Sequence, residues 1–273
     1  MIDLHLHSRA SDGSLTPAQL VQLCAERGVQ ILALTDHDCL RGLEEARLAS
    51  QAADMRFIPG VEISVTWEHK TLHVVGLNID ADSPVLKTGL ARMQQERIER
   101  AREIGRRLES RGYPGAYTGA LALAEHGNVT RTHFARWLQA NGHAGSMQKA
   151  FQRLLAYGKP GYVASNWAGL EESIRWIHAA RGLAVLAHPL RYRMTRTWLM
   201  RALDQFKQAG GDGIEVVCGG GNRDEQAVAS DYAKRFQLSA SVGSDFHTPA
   251  AGWNQPGIST CLPQNLTPVW ECF

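Results

Sequence analysis

Four clusters of Asp, Glu and His constrain this chain more than any other feature, because each lies within an apolar, strand-like run or at its C-terminal end. The first is Asp3-Leu4-His5-Leu6-His7-Ser8, with Asp12 five residues beyond the second histidine. Thr35-Asp36-His37-Asp38 closes the run Val29-Gln30-Ile31-Leu32-Ala33-Leu34. Pro59-Gly60-Val61-Glu62 leads into Ile63-Ser64-Val65, and His73 follows in Leu72-His73-Val74-Val75. Ser244-Asp245-Phe246-His247 closes the run 238–243. Side chains alternate across a strand, so His5 and His7 share one face, and Leu4 and Leu6 want a core on the other. In α/β barrels, catalytic groups gather at the C-terminal ends of the strands. Four such clusters on different strands predict one shared site there.

Between the clusters, strands and helices alternate. Strand 2–7 precedes a helix with Thr16 as cap, Pro17 in its first turn and Gly28 at its end. Leu20, Val21, Cys24 and Ala25 form its apolar stripe. Strand 29–34, a helix over 42–53 and two strands, 57–67 and 71–79, come next. This rhythm implies a mostly parallel sheet with right-handed crossovers. It breaks after Asp82. A basic helix over 84–111 and helical stretches near 118–126, 131–140 and 146–156 have no strand between them. The rhythm resumes with helix 170–181, strand 183–187, helix 196–209, strand 213–217 with Glu215, helix 223–236 and strand 238–243. The expected organisation is a first barrel part (1–80), a helical insert (81–164) and a second barrel part (165–273).

The net charge of +2 conceals an asymmetry. Residues 81–164 hold 13 Lys/Arg against 6 Asp/Glu, whereas the remainder is net acidic. A basic insert beside an acidic, histidine-rich site suits an anionic substrate held at one end and attacked at the other. No apolar run approaches the ~20 residues of a membrane span. A strand begins almost at once, leaving no room for a signal peptide. Cys24, Cys39, Cys218, Cys261 and Cys272 are odd in number and lack a CxxC, which suits reduced thiols and a cytoplasmic location. Gly219-Gly220-Gly221 lacks the context of a phosphate-binding loop.

The strand-associated candidates are His5, His7, Asp12, His37, Glu62, His73, Asp245 and His247. Mixed imidazole and carboxylate ligands suit Mn, Fe or Zn. Eight ligands exceed the needs of one ion, and Glu62 could bridge two. Clustered metals perform in-line displacement at phosphorus.

DLHLHS…D, TDHD, PGVE…H and SDFH resemble the motifs of the polymerase and histidinol phosphatase (PHP) superfamily of phosphoesterases, over about 1–80 and 165–250. The resemblance implies an α/β fold, a distorted (β/α)7 barrel, and a centre of two or three divalent ions, manganese first, with iron or zinc as alternatives. By position, His5, His7, Glu62 and Asp245 would hold one ion and Asp12, His37 and His247 a second. Glu62, His73 and a further ligand, here His133 of Thr130-Arg131-Thr132-His133, would hold a third. His188, at the end of strand 183–187, is expected to line the site or contact phosphate.

The implied activity is a metal-dependent phosphatase that removes the 3′-phosphate of nucleoside 3′,5′-bisphosphates by attack of metal-bound hydroxide. The alternative is 5′→3′ trimming of short 5′-phosphorylated RNA. Asp12, His188 and His247 form the expected catalytic set, with His247 or His188 protonating the leaving oxygen. Arg131, Thr132, His133, Lys159, Arg100, Arg102 and His188 are the expected substrate ligands, since arginine suits bidentate phosphate recognition. Tyr157, Tyr162, Trp137 and Trp167 are candidates for stacking a base, although core packing is the commoner role for each. His69, His126, His143 and His178 read as ordinary histidines, and Cys39 as a small buried residue. An amidohydrolase also begins with His-x-His, but no lysine occupies a matching strand end to bridge its metals. A single small substrate such as histidinol phosphate does not call for so basic an insert. A non-catalytic scaffold would have lost ligands, and here every expected position is filled.

Overall fold

The computed structural model describes residues 1–124, 129–192, 194–250, 254–257, 262–263 and 265–273. Its first elements are β1 (Ile2–Leu6), α1 (Pro17–Glu26), β2 (Ile31–Leu34), α2 (Leu43–Ala52), β3 (Arg56–Trp67) and β4 (Lys70–Leu77). Then come α3 (Pro84–Glu109), α4 (Ala116–Leu123), α5 (Arg131–Ala140) and α6 (Met147–Ala150), which runs into a π-helical turn, Phe151–Leu155. The chain continues with β5 (Ala168–Gly169), α7 (Leu170–Ala179), β6 (Leu183–Leu186), α8 (Arg196–Gln208), β7 (Gly213–Cys218), α9 (Arg223–Phe236) and β8 (Ser239–Gly243). The helix expected over 118–126 is α4, and the positions 125–126, with His126, lie outside the described residues. The short β5, paired to β3, has no sequence signal.

Hydrogen-bonded neighbours follow the order β1-β2-β3-β4-β6-β7-β8. The segment after β8 closes the sheet on β1. Leu6 bridges Phe246, His7 N–H donates to the Phe246 carbonyl at 3.0 Å, and Asp245 N–H donates to that of His5 at 2.8 Å. The result is a distorted barrel with helices outside. The sheet is mostly parallel, and among the described strands β4 alone runs antiparallel, to both β3 and β6. Glu68 and His69 adopt φ of 46° and 64°, a two-residue hairpin turn that leaves no room for a crossover helix. The β3–β4 hairpin therefore rises past Glu62 as a wall beside the strand ends.

Alternation sorts the barrel lining into layers. Leu4, Ala33, Ile58, Val75, Leu77, Val185 and Ala187 form an inner apolar layer with Val269 from the C-terminal 3₁₀ turn. Glu62 has the parity of Ile58, and His73 that of Val75, so both point inward one layer higher. Leu6, Leu32, Leu34, Val61 and Ile63 face the helices instead. Leu4 and Leu6 do not share a face, because β1 carries one extra residue between the pairs Asp3–Leu32 and Leu6–Leu34. This bulge lets Leu4 fill the inner layer while His5 and His7 also point inward.

The insert has two parts. Leu86, Leu90 and Met93 of α3 join the main core, while Ala101, Ile104 and Leu108 pack with Ala120, Phe134, Leu138 and Leu155 in a separate core. The α3 helix thus connects the insert to the barrel. Among the described residues, no helix is long and apolar enough to cross a membrane. Cys24, Cys39, Cys218 and Cys272 are free thiols, and Cys261 lies outside the described residues.

Candidate metal centre

Glu62 stands at the middle of the inward-facing layer, fully buried. Its Oε2 has His5 Nε2 at 3.3 Å, His7 Nε2 at 3.2 Å and His37 Nδ1 at 2.9 Å. Its Oε1 has His73 Nδ1 at 2.9 Å and His188 Nε2 at 3.1 Å. Asp245 Oδ1 lies 3.3 Å from His7 Nε2 and 3.6 Å from His5 Nε2, and Asp12 Oδ1 lies 3.3 Å from His247 Nε2. Three groups can each converge on a cation: His5, His7 and Asp245; His7, Asp12, His37 and His247; His37, Glu62 and His73. His7 and His37 are shared between groups, so the centre is one continuous cluster.

Local structure holds these groups. Asp36 accepts hydrogen bonds from Ser8 N–H at 2.8 Å and from the Ser8 and Ser11 hydroxyls at 2.6 Å each, tying down the loop that presents Asp12. Asp38 accepts from Ser64 N–H at 2.8 Å and from Arg97 Nε at 2.7 Å. Asp38, His188 and Asp245 all have positive φ, of 47°, 29° and 54°. Such backbone costs of order 1–3 kcal/mol per residue and collects at functional sites.

Ring tautomers separate ligands from donors. His5 Nδ1–H donates to Glu215 Oε1 at 2.6 Å, and His247 Nδ1–H to the Asp245 carbonyl at 2.9 Å. Each bond leaves Nε2 as a lone pair facing the cluster. His133 is reversed. Its Nδ1 accepts the Thr130 N–H at 3.0 Å, closing the capping box of α5, so its proton sits on Nε2. That ring offers a donor, not a lone pair, and it is absent from the three convergent groups.

The donor set fits divalent cations. His5 Nε2 and His7 Nε2 are 3.0 Å apart, too close for two bare lone pairs. Glu62 Oε2 is buried and makes no well-formed hydrogen bond, despite three imidazoles within 3.3 Å. Burial alone would raise the carboxyl pKa values, yet neighbouring imidazoles hold Glu62, Asp12 and Asp245 well below the usual range. Burial likewise opposes charge on His7, but Asp245 and Glu62 push it up to about 10. An oxygen- and nitrogen-lined cluster without thiolate suits Mn, Fe or Zn.

A cavity of about 140 Å³ opens from the cluster, lined by Asp12, His37 and His73 on one side and by Arg97, Arg100, Arg131 and Thr132 on the other. Burial, then Arg131 and Arg97, pushes Arg100 down to about 10. Burial also lowers Arg131. Among the described residues neither has a carboxylate partner, whereas Arg97 is neutralised by Asp38. Trp167 lies under Arg97 and Arg100, with ring-to-guanidinium distances of 4.7 Å and 5.6 Å.

Not every expected site residue is gathered here. Arg102 points to solvent from α3, and Lys159 is exposed outside the cavity lining. His188 contacts Glu62 and His73 but lines a different cavity, about 230 Å³ in volume, with Glu215 and Cys218. Tyr157 is 84% exposed, against the core role expected of it, and its ring stands 5.2 Å from that of Tyr162. Trp137 packs against His143 in the insert. His69 is exposed, and His178 pairs with Asp212 at 2.8 Å. Glu215, Arg97, Arg191 and Phe151 have no assigned role in the sequence reading. Glu215 alone carried a signal there, a carboxylate in the middle of an apolar strand.

Comparison with known proteins agrees with this geometry. The PHP domain family matches residues 3–219. A 5′-3′ exoribonuclease of Haemophilus influenzae is 45% identical over 99% of this chain and 98% of its own. A 3′,5′-nucleoside bisphosphate phosphatase of Chromobacterium violaceum is 45% identical over 99% of this chain and 95% of its own. The solved structure of an amidohydrolase from Chromobacterium violaceum, with bound sulfate and no metal, superposes with a TM-score of 0.92 at 45% identity, covering 99% and 94% of the two chains.

Proposed function

The chain belongs to the PHP domain family and is a phosphoester hydrolase; from that premise we propose that it breaks the bond between phosphorus and O3′ of a 5′-phosphorylated nucleoside. A nucleoside 3′,5′-bisphosphate is the smallest such substrate and releases phosphate and a 5′-nucleotide. The same bond joins the first two nucleotides of a 5′-phosphorylated RNA, so one site serves both names carried by the relatives. The observation that supports this reading is the cavity that puts Arg100 and Arg131 on the wall facing His37, His73 and Asp12. A scissile phosphate at the cluster would leave a second phosphate within reach of two guanidinium groups that have no carboxylate partner among the described residues.

His5, His7, Asp245, Asp12, His37, His247, Glu62 and His73 would hold the cations, which activate water and neutralise phosphoryl oxygens in this chemistry. Arg100, Arg131 and Thr132 bind and orient the second phosphate. His188, 3.1 Å from Glu62, would hold a proton for the leaving O3′. Manganese is the cation proposed, and two or three ions the number.

The test is manganese-supplemented hydrolysis of adenosine 3′,5′-bisphosphate beside a short 5′-phosphorylated RNA, with products separated by chromatography. Phosphate and 5′-AMP from the bisphosphate are expected, and 5′-mononucleotides from the RNA. Release of a 3′-phosphorylated nucleoside would place the cut at the wrong ester and sink the reading.

A further inference from the structure

The cavity with the arginine pair accounts for the 5′ side of the scissile bond. The other side of the metal cluster has its own chemistry. Residues 173–203 carry six arginines and no Asp or Glu, where an even spread of the chain's 27 acids would place about three. This stretch enters the cluster and leaves it. His188 contacts Glu62, Arg191 donates to Asp245 Oδ2 at 2.6 Å, and the Tyr192 hydroxyl accepts the His73 N–H at 2.8 Å. Farther along the sequence, the first turn of α8 stands beside β4, with Lys70 against Trp198. There Thr195, Arg196, Thr197 and Trp198 are all exposed.

Trp198 is 38% exposed although it is large and apolar. Its ring meets that of Trp67 edge-on at 5.6 Å, and Lys70 Nζ stands 5.7 Å from its centre. Arg201 flanks the same ring and is tied to Glu68. Among the described residues, Lys70 and Arg196 have no carboxylate partner. Lys70 is three residues from His73 on β4, about 10 Å along a strand. The patch lies on the hairpin face opposite Thr71 and His73, and hence opposite the arginine-lined cavity. An exposed aromatic ring among unpaired cations, one step from a phosphoester-cleaving centre, has the make-up of a single-strand stacking platform.

We propose that the surface formed by Arg196, Trp198 and Lys70 carries the strand on the 3′ side of the scissile phosphate, with one base stacked on Trp198. The proposal rests on the catalytic reading above and extends it: the favoured substrate is a 5′-phosphorylated single-stranded oligonucleotide rather than a mononucleotide bisphosphate.

The experiment compares wild type, Trp198→Ala, Trp198→Phe and the double variant Lys70→Ser/Arg196→Ser on a 5′-phosphorylated pentaribonucleotide and on adenosine 3′,5′-bisphosphate. Trp198→Ala should lower kcat/KM for the RNA roughly 5- to 150-fold, the range expected for one stacked base, and change the bisphosphate less than about twofold. Trp198→Phe should recover most of the RNA activity, and the double variant should flatten its salt dependence. Equal losses on both substrates, or none on the RNA, would overturn the proposal. Binding of the labelled pentamer to metal-free protein, followed by fluorescence anisotropy, is scored separately. If wild type cleaves neither substrate, the catalytic reading falls, and an unchanged pentamer affinity in Trp198→Ala would sink the strand path as well.

Discussion

Replacing Glu215 by glutamine tests how far the cluster depends on a residue that touches no cation. Glu215 is buried and accepts two short bonds at once, from His5 Nδ1–H and, at 2.6 Å, from the His188 backbone N–H. It therefore fixes the tautomer of a ligand and pins a backbone with positive φ. An amide keeps one acceptor and turns a donor towards the other N–H. Manganese affinity should fall about 10- to 100-fold by calorimetric titration, and the metal-free protein should melt lower because one buried N–H loses its acceptor, at a cost of about 1–3 kcal/mol. Arg131 is expected to act on substrate alone. Arg131→Ala should raise KM for a nucleoside 3′,5′-bisphosphate tenfold or more, the scale of one charge-assisted hydrogen bond, and change that for an aryl monophosphate far less. An equal effect on the two would remove its link to the second phosphate. Arg131 was legible as a candidate because it lies in the basic stretch 81–164 and arginine suits bidentate phosphate recognition. Glu215 was visible only as a carboxylate in an apolar strand. Its partner His5 is 210 residues away, a distance no local pattern encodes.

At the scale of elements, α5 starts on a cap that titrates. Burial lowers His133 to about 4, against a usual value near 6.5. A base with a lowered folded-state pKa leaves the fold at full stability above pH 6.5 and costs stability as pH falls from 6.5 towards 4. The loss approaches roughly 3 kcal/mol below that window. His133→Gln keeps a capping side chain without the titration, so its melting temperature should fall less than that of wild type between pH 7 and pH 4. A second element-level constraint is the close approach of α3 to α4. A Cβ at Gly105 would stand 2.5 Å from Tyr117 Cβ and 3.1 Å from its Cα. Alanine in a helix interior normally gains about 1 kcal/mol over glycine. Here the contact is with backbone that cannot yield, and overpacking of about 1–3 kcal/mol should outweigh that gain. Thermal denaturation of Gly105→Ala should therefore show a lower midpoint, and an unchanged or higher one would mean the helices can separate at little cost. Periodicity revealed α3, α4 and α5, but not that glycine sets their spacing.

Across the whole molecule, the candidate ligands come from β1, β3, β4 and the segments after β1, β2 and β8, which are the strands and the closure of the barrel. Cations bound there would join the two ends of the sheet, β1 and the chain after β8, as well as serve chemistry. By mass action, a cation at 100 times its dissociation constant stabilises the folded state by about 2.7 kcal/mol. Chelation should lower the melting temperature by several degrees, and added manganese should restore it. A melting temperature indifferent to both would argue against cation binding at the cluster.

The sequence by itself determined the order of strands and helices, the candidate ligand clusters at the strand ends and the basic character of residues 81–164. These are local properties, set by side-chain alternation, helical period, caps and composition. Tertiary structure alone decided that β4, once turned back by Glu68 and His69, also pairs antiparallel with β6 and so sits inside the barrel wall. It also decided that a bulge turns Leu4, His5 and His7 all inward, that His133 presents a donor, and that Arg97 pairs with Asp38 while Arg100 and Arg131 have no carboxylate partner among the described residues. Each depends on which distant atom fills a hydrogen bond or a contact, and that partner exists only once the barrel has closed.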